Sequence, residues 1–265
     1  MRTTRTILSN LAKGKISEEE AEKQLQELSV GVVGDLARID GAREGRSGIP
    51  EVIFSESKSA DDTVQIAKTM IVQSGYALMT RINTEKLQTL QRDLSDYEIE
   101  AKGSGNHYTV LASSPDWSPP EPTGKIAVVT AGTSDIPFAY ESILVAKIMG
   151  VTAISFFDVG VAGIHRLVEP IKQIVKEKVS AVVVLAGMEG ALPTVVASLV
   201  NAPVIGVPIP TGYGHGGKGE TALASMLQSC APGLAVVNIG NGLGAGSFAA
   251  LIAKRCGKIQ PDSGR

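Results

Sequence analysis

The fold is decided by the stretch Ala181-Val-Val-Val-Leu-Ala-Gly-Met-Glu-Gly-Ala-Leu-Pro193, in which an apolar run leads into a Gly-rich turn. An apolar run without polar alternation is typical of a parallel strand that is buried on both faces. Because helical segments separate this run from others of its kind, the second half predicts a flavodoxin-like, doubly wound parallel sheet in an α/β protein. The other predicted strands are 126–130, 152–157, 204–207 and 234–238.

The first third predicts a small α/β N-terminal domain, because helical and extended segments alternate in it. A Pro-rich segment with four prolines and no periodicity follows, which is typical of a linker. The predicted helices are 17–28, 59–72 and one that starts at residue 83, and the predicted strands are 50–54 and 76–81. We therefore predict an N-terminal domain over 1–112, a linker over 113–124 and the parallel-sheet domain over 125–265.

Composition excludes several classes of protein. A formal charge of −2 over 265 residues argues against a broad nucleic-acid-binding surface, which needs clustered Lys and Arg. Two cysteines cannot form a disulfide framework or a Cys-rich zinc site, which indicates a reducing compartment. The N-terminus lacks the apolar core of a signal peptide, and no apolar run reaches the ~18–20 residues that span a bilayer. We expect a cytoplasmic protein that binds neither nucleic acid nor membrane.

The loops after the first two strands of the parallel sheet contain candidate ligand-binding residues. Backbone N–H groups of Gly132, Thr133 and Ser134, before a helix, could bind a phosphate, and Asp135 could bind a ribose hydroxyl or a metal ion. The alternative is an ordinary turn in which Ser134 or Asp135 caps the helix.

After the second strand, Asp158 precedes His165 and Arg166, a pair suited to phosphate or carboxylate. An equally good interpretation is that Asp158 caps a helix and that His165 and Arg166 are ordinary surface residues.

Glu189 follows the strand at 181–185, next to Gly187 and Met188. A carboxylate at the end of a buried strand is expected to be desolvated, which favours a general-base role, whereas a helix cap is the simpler alternative. The Gly-dense loop 208–220 carries His215 and Lys218 and could close over a ligand. Residues 238–246 faintly resemble a dinucleotide fingerprint, but they follow the last strand rather than the first, so we reject a Rossmann interpretation.

Cys230 is the one candidate nucleophile; Cys256 lies in the tail and is interpreted as incidental. Cys230 ends the predicted helix 220–230, where the negative end of the helix dipole disfavours a thiolate. Activation would have to come from Lys218, His215 or a cationic substrate. A lone Cys in an apolar helix is more often a core residue, so both interpretations stay open on spacing alone.

In order, these segments resemble the pyridinium-3,5-biscarboxylic acid mononucleotide synthase family, whose C-terminal domain is related to aminoimidazole ribonucleotide carboxylase. Asp135 and His165-Arg166 match residues of that purine-pathway carboxylase. Ala191 stands where the carboxylase has a second His, and Cys230 has no counterpart in the carboxylase. Gly240 departs from the synthase pattern, which has an Asp there. The strongest blocks are 130–135, 158–167, 186–193 and 227–233, with 48–54, Lys58 and Thr80-Arg81 upstream.

The resemblance implies carboxylation of nicotinic acid adenine dinucleotide at pyridine C5, with carbon dioxide or bicarbonate as co-substrate. It also implies Mg²⁺-assisted hydrolysis of the phosphoanhydride to release AMP. Cys230 would add to the pyridinium ring and Glu189 would act as the base. Asp135, His165 and Arg166 would bind ribose, phosphate or carboxylate.

The product would feed synthesis of the nickel-pincer nucleotide cofactor of lactate racemase-type enzymes. By analogy with relatives, the chain would form a homo-oligomer, an octamer. Two alternatives are an aminoimidazole ribonucleotide carboxylase or mutase and a non-catalytic nucleotide-binding regulatory protein.

Overall fold

The computed structural model describes residues 4–33, 37–41 and 43–257. The chain forms two compact units. One contains Met1–Ala101 and Val110–Trp117, and the other contains Lys102–Thr109 and Ser118–Arg265. The passage from Trp117 to Ser118 falls inside the segment predicted as a linker.

The first unit contains a small mixed sheet with helices. Strand β3 (Ile53–Phe54) is parallel to β4 (Tyr76–Ile82), and the sheet order is β3-β4-β6-β5. Its remaining elements are α1 (Thr4–Ala12), α2 (Glu18–Ser29), the antiparallel pair β1 (Val30–Val33) and β2 (Ala37–Asp40), α3 (Arg43–Ser47), α4 (Ala60–Ser74) and α5 (Thr84–Asp93). Strands β5 (Glu98–Ser104) and β6 (His107–Ser113) complete the sheet, but Lys102–Thr109 at their adjoining ends belong to the second unit.

The second unit contains a five-stranded parallel sheet in the order β11-β10-β9-β7-β8. This order confirms the predicted flavodoxin-like fold. Along the chain come β7 (Lys125–Thr130), α6 (Ile136–Ile148), β8 (Thr152–Phe156), α7 (Val168–Lys176), β9 (Ala181–Ala186), α8 (Leu192–Ala197), β10 (Val204–Pro208), α9 (Glu220–Leu227), β11 (Leu234–Val236) and α10 (Gly242–Gly257), with 3₁₀ turns at Thr133–Asp135 and Val161–Leu167.

The core of the second unit explains why its strands carry apolar runs. Every residue of β9 and β10 is buried, because helices cover both faces of the sheet centre. Pro137 and Pro193 lie in the first turns of α6 and α8, where a missing N–H costs little. The carboxyl ends of β7, β9 and β10 therefore lie side by side at one edge of a rigid sheet. Among the described residues, no helix combines the length and the apolar character needed to cross a bilayer.

Candidate functional site

A cavity of about 410 Å³ opens at the carboxyl ends of the parallel strands. Ligands of open α/β sheets bind at this edge. Four successive loops, those that follow β7, β8, β9 and β10, supply its walls. The lining residues are Ala131, Gly132, Ser134 and Asp135 after β7; Gly160, Val161, Ala162 and Arg166 after β8; Ala186, Gly187, Met188, Glu189, Ala191 and Leu192 from the end of β9 onward; and Thr211, Gly212 and Tyr213 after β10.

Asp135 is the buried carboxylate of this cavity, with 3% of its surface exposed. Its Oδ2 accepts the Gly132 N–H at 2.8 Å, and its Oδ1 accepts the Thr211 hydroxyl at 3.3 Å. Burial raises the pKa of Asp135, and hydrogen bonds from Thr211 and from the backbone N–H groups of Gly132, Ala131 and Gly187 partly oppose that rise because they stabilise the charged form. Asp135 thus combines a fixed orientation with easier protonation than a solvated Asp, which suits it to bind a hydroxyl or to carry a proton.

Thr211 was missed by the sequence analysis, and the loop after β9 explains its placement. The Thr211 carbonyl oxygen accepts the Met188 N–H at 3.0 Å. Gly187 lies so close that a Cβ on it would be 2.4 Å from Thr211 Oγ1 and 2.5 Å from the Thr211 carbonyl oxygen. Only a glycine at position 187 lets the two loops meet and aim Thr211 at Asp135. The only sequence signal was its position, just after a buried strand.

Two non-glycine residues near the cavity have left-handed backbone conformations. Met188 has φ +51° and Asp158 has φ +58°. This region is unfavourable for residues with a Cβ, at a cost of ~1–2 kcal/mol each. Met188 lines the cavity and is 45% exposed. Of these two residues, Met188 shapes the cavity directly, and Asp158 acts through Arg166.

Arg166 is the cation among the cavity-lining residues, and Asp158 orients it. The Arg166 Nη1 and the Asp158 Oδ2 lie 2.8 Å apart in an exposed ion pair. The Asp158 N–H donates to Thr130 Oγ1 at 3.1 Å, which fixes the start of the loop after β8. Asp158 is absent from the lining, so in this chain its side chain holds Arg166 rather than facing the cavity. Such an exposed pair adds little stability, and its effect is on geometry.

Glu189 lines the cavity but is exposed to solvent. The expected desolvation is therefore wrong for the single chain, because the strand ends at Ala186 and the turn takes Glu189 out of the buried layer. His165, Thr133, His215 and Lys218 are also exposed, and none is among the lining residues. From the loop 208–220, the cavity receives Thr211, Gly212 and Tyr213 instead.

Cys230 is exposed and is not among the residues that line the cavity. Helix α9 ends at Leu227, so Cys230 lies in the segment between that helix and β11. Leu234 pairs with Val204, and these residues begin β11 and β10. Cys230 therefore comes before the amino end of β11, whereas the cavity lies at the carboxyl ends. Glu189 lines the described cavity and Cys230 does not, and because Cys230 is exposed the core interpretation is wrong.

The carboxylates of this region are the natural candidates for metal binding. Among the described residues, no group of three or more His, Cys, Asp and Glu side chains is arranged to hold a metal ion. A resident metal centre therefore does not fit these residues. Mg²⁺ commonly binds through substrate phosphates with only one or two protein carboxylates, and such a site would need no cluster of this kind.

The parallel sheet defines a flavodoxin-like α/β protein with a cavity at the carboxyl ends of its strands. Residues 125–261 match the AIR carboxylase family, and residues 32–105 match the LarB/PurE-like N-terminal domain. The chain belongs to the family that joins these two domains. This membership supports an enzyme of carboxylase type, related to AIR carboxylases and mutases.

Similar proteins occur in two archaea. An uncharacterized protein of Methanocaldococcus jannaschii is 42% identical over 253 residues, which cover 94% of this chain and 96% of that protein. The N5-carboxyaminoimidazole ribonucleotide mutase of the same organism is 35% identical over 129 residues, covering 48% of this chain and 75% of the mutase. The corresponding mutase of Saccharolobus solfataricus is 35% identical over 108 residues, which cover 39% of this chain and 62% of that mutase.

Proposed function

We propose that this protein carboxylates the pyridinium ring of nicotinic acid adenine dinucleotide at C5 and hydrolyses the phosphoanhydride. The products are pyridinium-3,5-biscarboxylic acid mononucleotide and AMP. The observation that carries the proposal is the identity of residue 191. Ala191 lines the cavity at the position where the purine-pathway carboxylase has its second His, and no described lining residue is a His. Acid–base chemistry in this cavity would therefore fall to Asp135 and Glu189.

The charges of the cavity suit this substrate. Arg166 offers a cation for phosphate or carboxylate, and the buried Asp135 carboxyl suits a ribose hydroxyl. The volume of about 410 Å³ lies within the range of ~300–1,000 Å³ for small-molecule sites. Mg²⁺ would arrive with the diphosphate of the substrate.

The chemistry requires a nucleophile because C5 of a pyridinium ring is electron-poor. Addition of the Cys230 thiolate at C4 gives a dihydropyridine whose C5 is enamine-like and attacks carbon dioxide. Glu189 then takes the C5 proton, and the electron pair of that C–H bond expels the thiolate and restores the aromatic ring. The positive charge of the substrate favours the thiolate at the moment of addition.

Cys230 does not line the cavity of its own chain, so we propose that a second copy of the chain supplies it. We therefore include a homo-oligomer in the proposal. In it, Cys230 of one protomer meets the cavity of its partner. An exposed Cys in a surface segment is compatible with such a shared site.

The proposal is tested by intact-protein mass spectrometry after incubation with nicotinic acid adenine dinucleotide, bicarbonate and Mg²⁺. Wild type should carry a substrate adduct and release AMP with a carboxylated mononucleotide, whereas Cys230→Ser should do neither. Full turnover by Cys230→Ser would remove the nucleophile from the mechanism. Mixing Cys230→Ser with Glu189→Gln tests the shared site. Mixed oligomers should regain activity that each variant lacks alone, and no recovery would place both residues in one chain's site.

A second candidate, an aminoimidazole ribonucleotide carboxylase or mutase, is favoured by the similarity to two N5-carboxyaminoimidazole ribonucleotide mutases over part of the chain. This reaction needs no thiol. Turnover of N5-carboxyaminoimidazole ribonucleotide that survives Cys230→Ser would establish this candidate in place of the first.

A further inference from the structure

Tyr213 is a cavity-lining aromatic residue that remains 83% exposed. Met188, on the neighbouring loop, is a second large apolar side chain that both lines the cavity and is exposed. Single exposed apolar residues are common on protein surfaces. Here two of them lie on adjacent loops at the mouth of one small-molecule cavity, which indicates a surface that a ligand covers.

The segment that carries Tyr213 is anchored at both ends. Thr211 binds Asp135 and the Met188 N–H on one side. On the other side, the Thr221 N–H donates to the Gly216 carbonyl, and the Thr221 hydroxyl donates to the His215 carbonyl, both at 3.3 Å. Between these anchors, Gly212 and Gly214 flank Tyr213, and Gly214 has φ +74° with open space around it. The backbone that carries Tyr213 is therefore tethered at both ends, and the exposed ring has room for a ligand beside it.

We infer that Tyr213 stacks on the pyridinium ring of the substrate and that the Met188 thioether contacts the same ring. This inference rests on the proposed function and deepens it, because it names the residues that select a cationic aromatic ring. The face of an aromatic side chain carries a negative electrostatic potential, which attracts a cation placed over it. Thioethers make favourable contacts with aromatic rings.

The charges around the mouth agree with a cationic ring. Glu189 directly follows Met188 and lines the cavity, so it adds negative potential beside the proposed ring site. Arg166, held by Asp158, lies on the loop after β8 and suits the anionic phosphates instead. A pyridinium mononucleotide, positive at one end and negative at the other, matches this separation better than a neutral base does.

The experiment measures dissociation constants by calorimetry for wild type, Tyr213→Ala, Tyr213→Phe and Met188→Ala. The ligands are nicotinic acid adenine dinucleotide, nicotinic acid mononucleotide and AMP. Tyr213→Ala should weaken the two pyridinium ligands by about ten- to thirtyfold, as expected for a desolvated cation–π contact, and leave AMP unchanged. Tyr213→Phe should restore binding to within about threefold, because the ring and not the hydroxyl carries the contact. Met188→Ala should give a smaller loss with the same ligand selectivity.

Phe248→Ala is the matched control, because Phe248 is an exposed aromatic residue on α10 outside the cavity lining. It should bind all three ligands as wild type does. A loss in Tyr213→Ala that falls on AMP would overturn the inference in favour of adenine stacking, and equal binding by Tyr213→Ala and wild type would overturn it outright. If wild type binds neither pyridinium ligand, the proposed function itself fails and this inference with it.

Discussion

The Thr211 hydroxyl donates to Asp135 Oδ1 at 3.3 Å across two loops of the parallel sheet. The two residues are far apart in sequence, and both line the same cavity. Asp135 needs such a partner because burial opposes its charged form. Thr211 is therefore a positioning residue that keeps the carboxylate both oriented and ionisable.

Thr211→Val removes this donor and keeps the shape of the side chain. The pKa of Asp135 should rise further, because only the backbone donors then oppose its desolvation. A buried acceptor that loses a partner costs about 1–3 kcal/mol, so the free energy of unfolding should fall by roughly that amount. Carboxyl carbon NMR titration measures the pKa, and urea denaturation measures stability. An unchanged Asp135 titration would show that Thr211 exerts no control over the carboxyl group.

The raised pKa of Asp135 also predicts how stability depends on pH. In the folded state Asp135 binds its proton more tightly than in the unfolded chain, where the ordinary value is 3.8. This contribution to stability is fully present below that value and is lost as pH rises through the folded-state pKa. Asp135→Asn removes the titrating group. The difference in unfolding free energy, wild type minus variant, should fall from about pH 4 upward until the folded-state pKa is passed. A difference that stays flat across this range would contradict the prediction.

The fold could be predicted because each strand of the parallel sheet is an apolar run, and burial on both faces demands such runs. Strand β5 could not be predicted in this way, because Glu98–Ser104 contains charged residues and is largely solvent-accessible. Its pairing with β6 is a tertiary relationship with little local signal.

The site was predicted in part by the rule that ligands bind at the carboxyl ends of strands. That rule correctly brings Asp135, Arg166 and Glu189 to one cavity. The rule does not cover Cys230, which follows helix α9 and precedes β11, so its catalytic role stays a prediction. Thr211 and Tyr213 could not be found because their roles depend on how two loops meet, which strand patterns do not encode.

The close approach of Gly187 to Thr211 gives a second substitution. Gly187→Ala would place a Cβ within 2.5 Å of two Thr211 atoms, so one loop must move. Overpacking of this kind typically costs ~1–3 kcal/mol of stability. Ligand affinity should fall as well, because displacement of Thr211 disturbs Asp135.

Gly45→Ala is the control for Gly187→Ala, because Gly45 lies on α3 with no atom within 4 Å of an added Cβ. It should leave binding unchanged and should not lower stability, because alanine is the better helix former by up to ~1 kcal/mol. Thermal unfolding and calorimetry with nicotinic acid mononucleotide compare the two variants. If Gly187→Ala matches wild type in stability and affinity, the two loops can separate enough to accept a Cβ, and the glycine is not required.

The hydrogen bond between the partly buried His107 and the buried Glu141 predicts a stability effect remote from the cavity lining. Glu141 is 2% exposed, its Oε1 lies 2.8 Å from His107 Nε2, and its Oε2 accepts the Leu243 N–H at 3.0 Å. His107→Ala deprives the buried Glu141 side chain of one hydrogen-bond partner, and such losses cost about 1–3 kcal/mol. The double variant with Glu141→Gln should lose less than the sum of the two single variants, because both substitutions remove the same contact. Urea denaturation of the two single variants and the double variant gives the coupling free energy, and strict additivity would contradict a direct interaction. Lys125→Met, which breaks the exposed contact with Glu177, should have little effect by comparison.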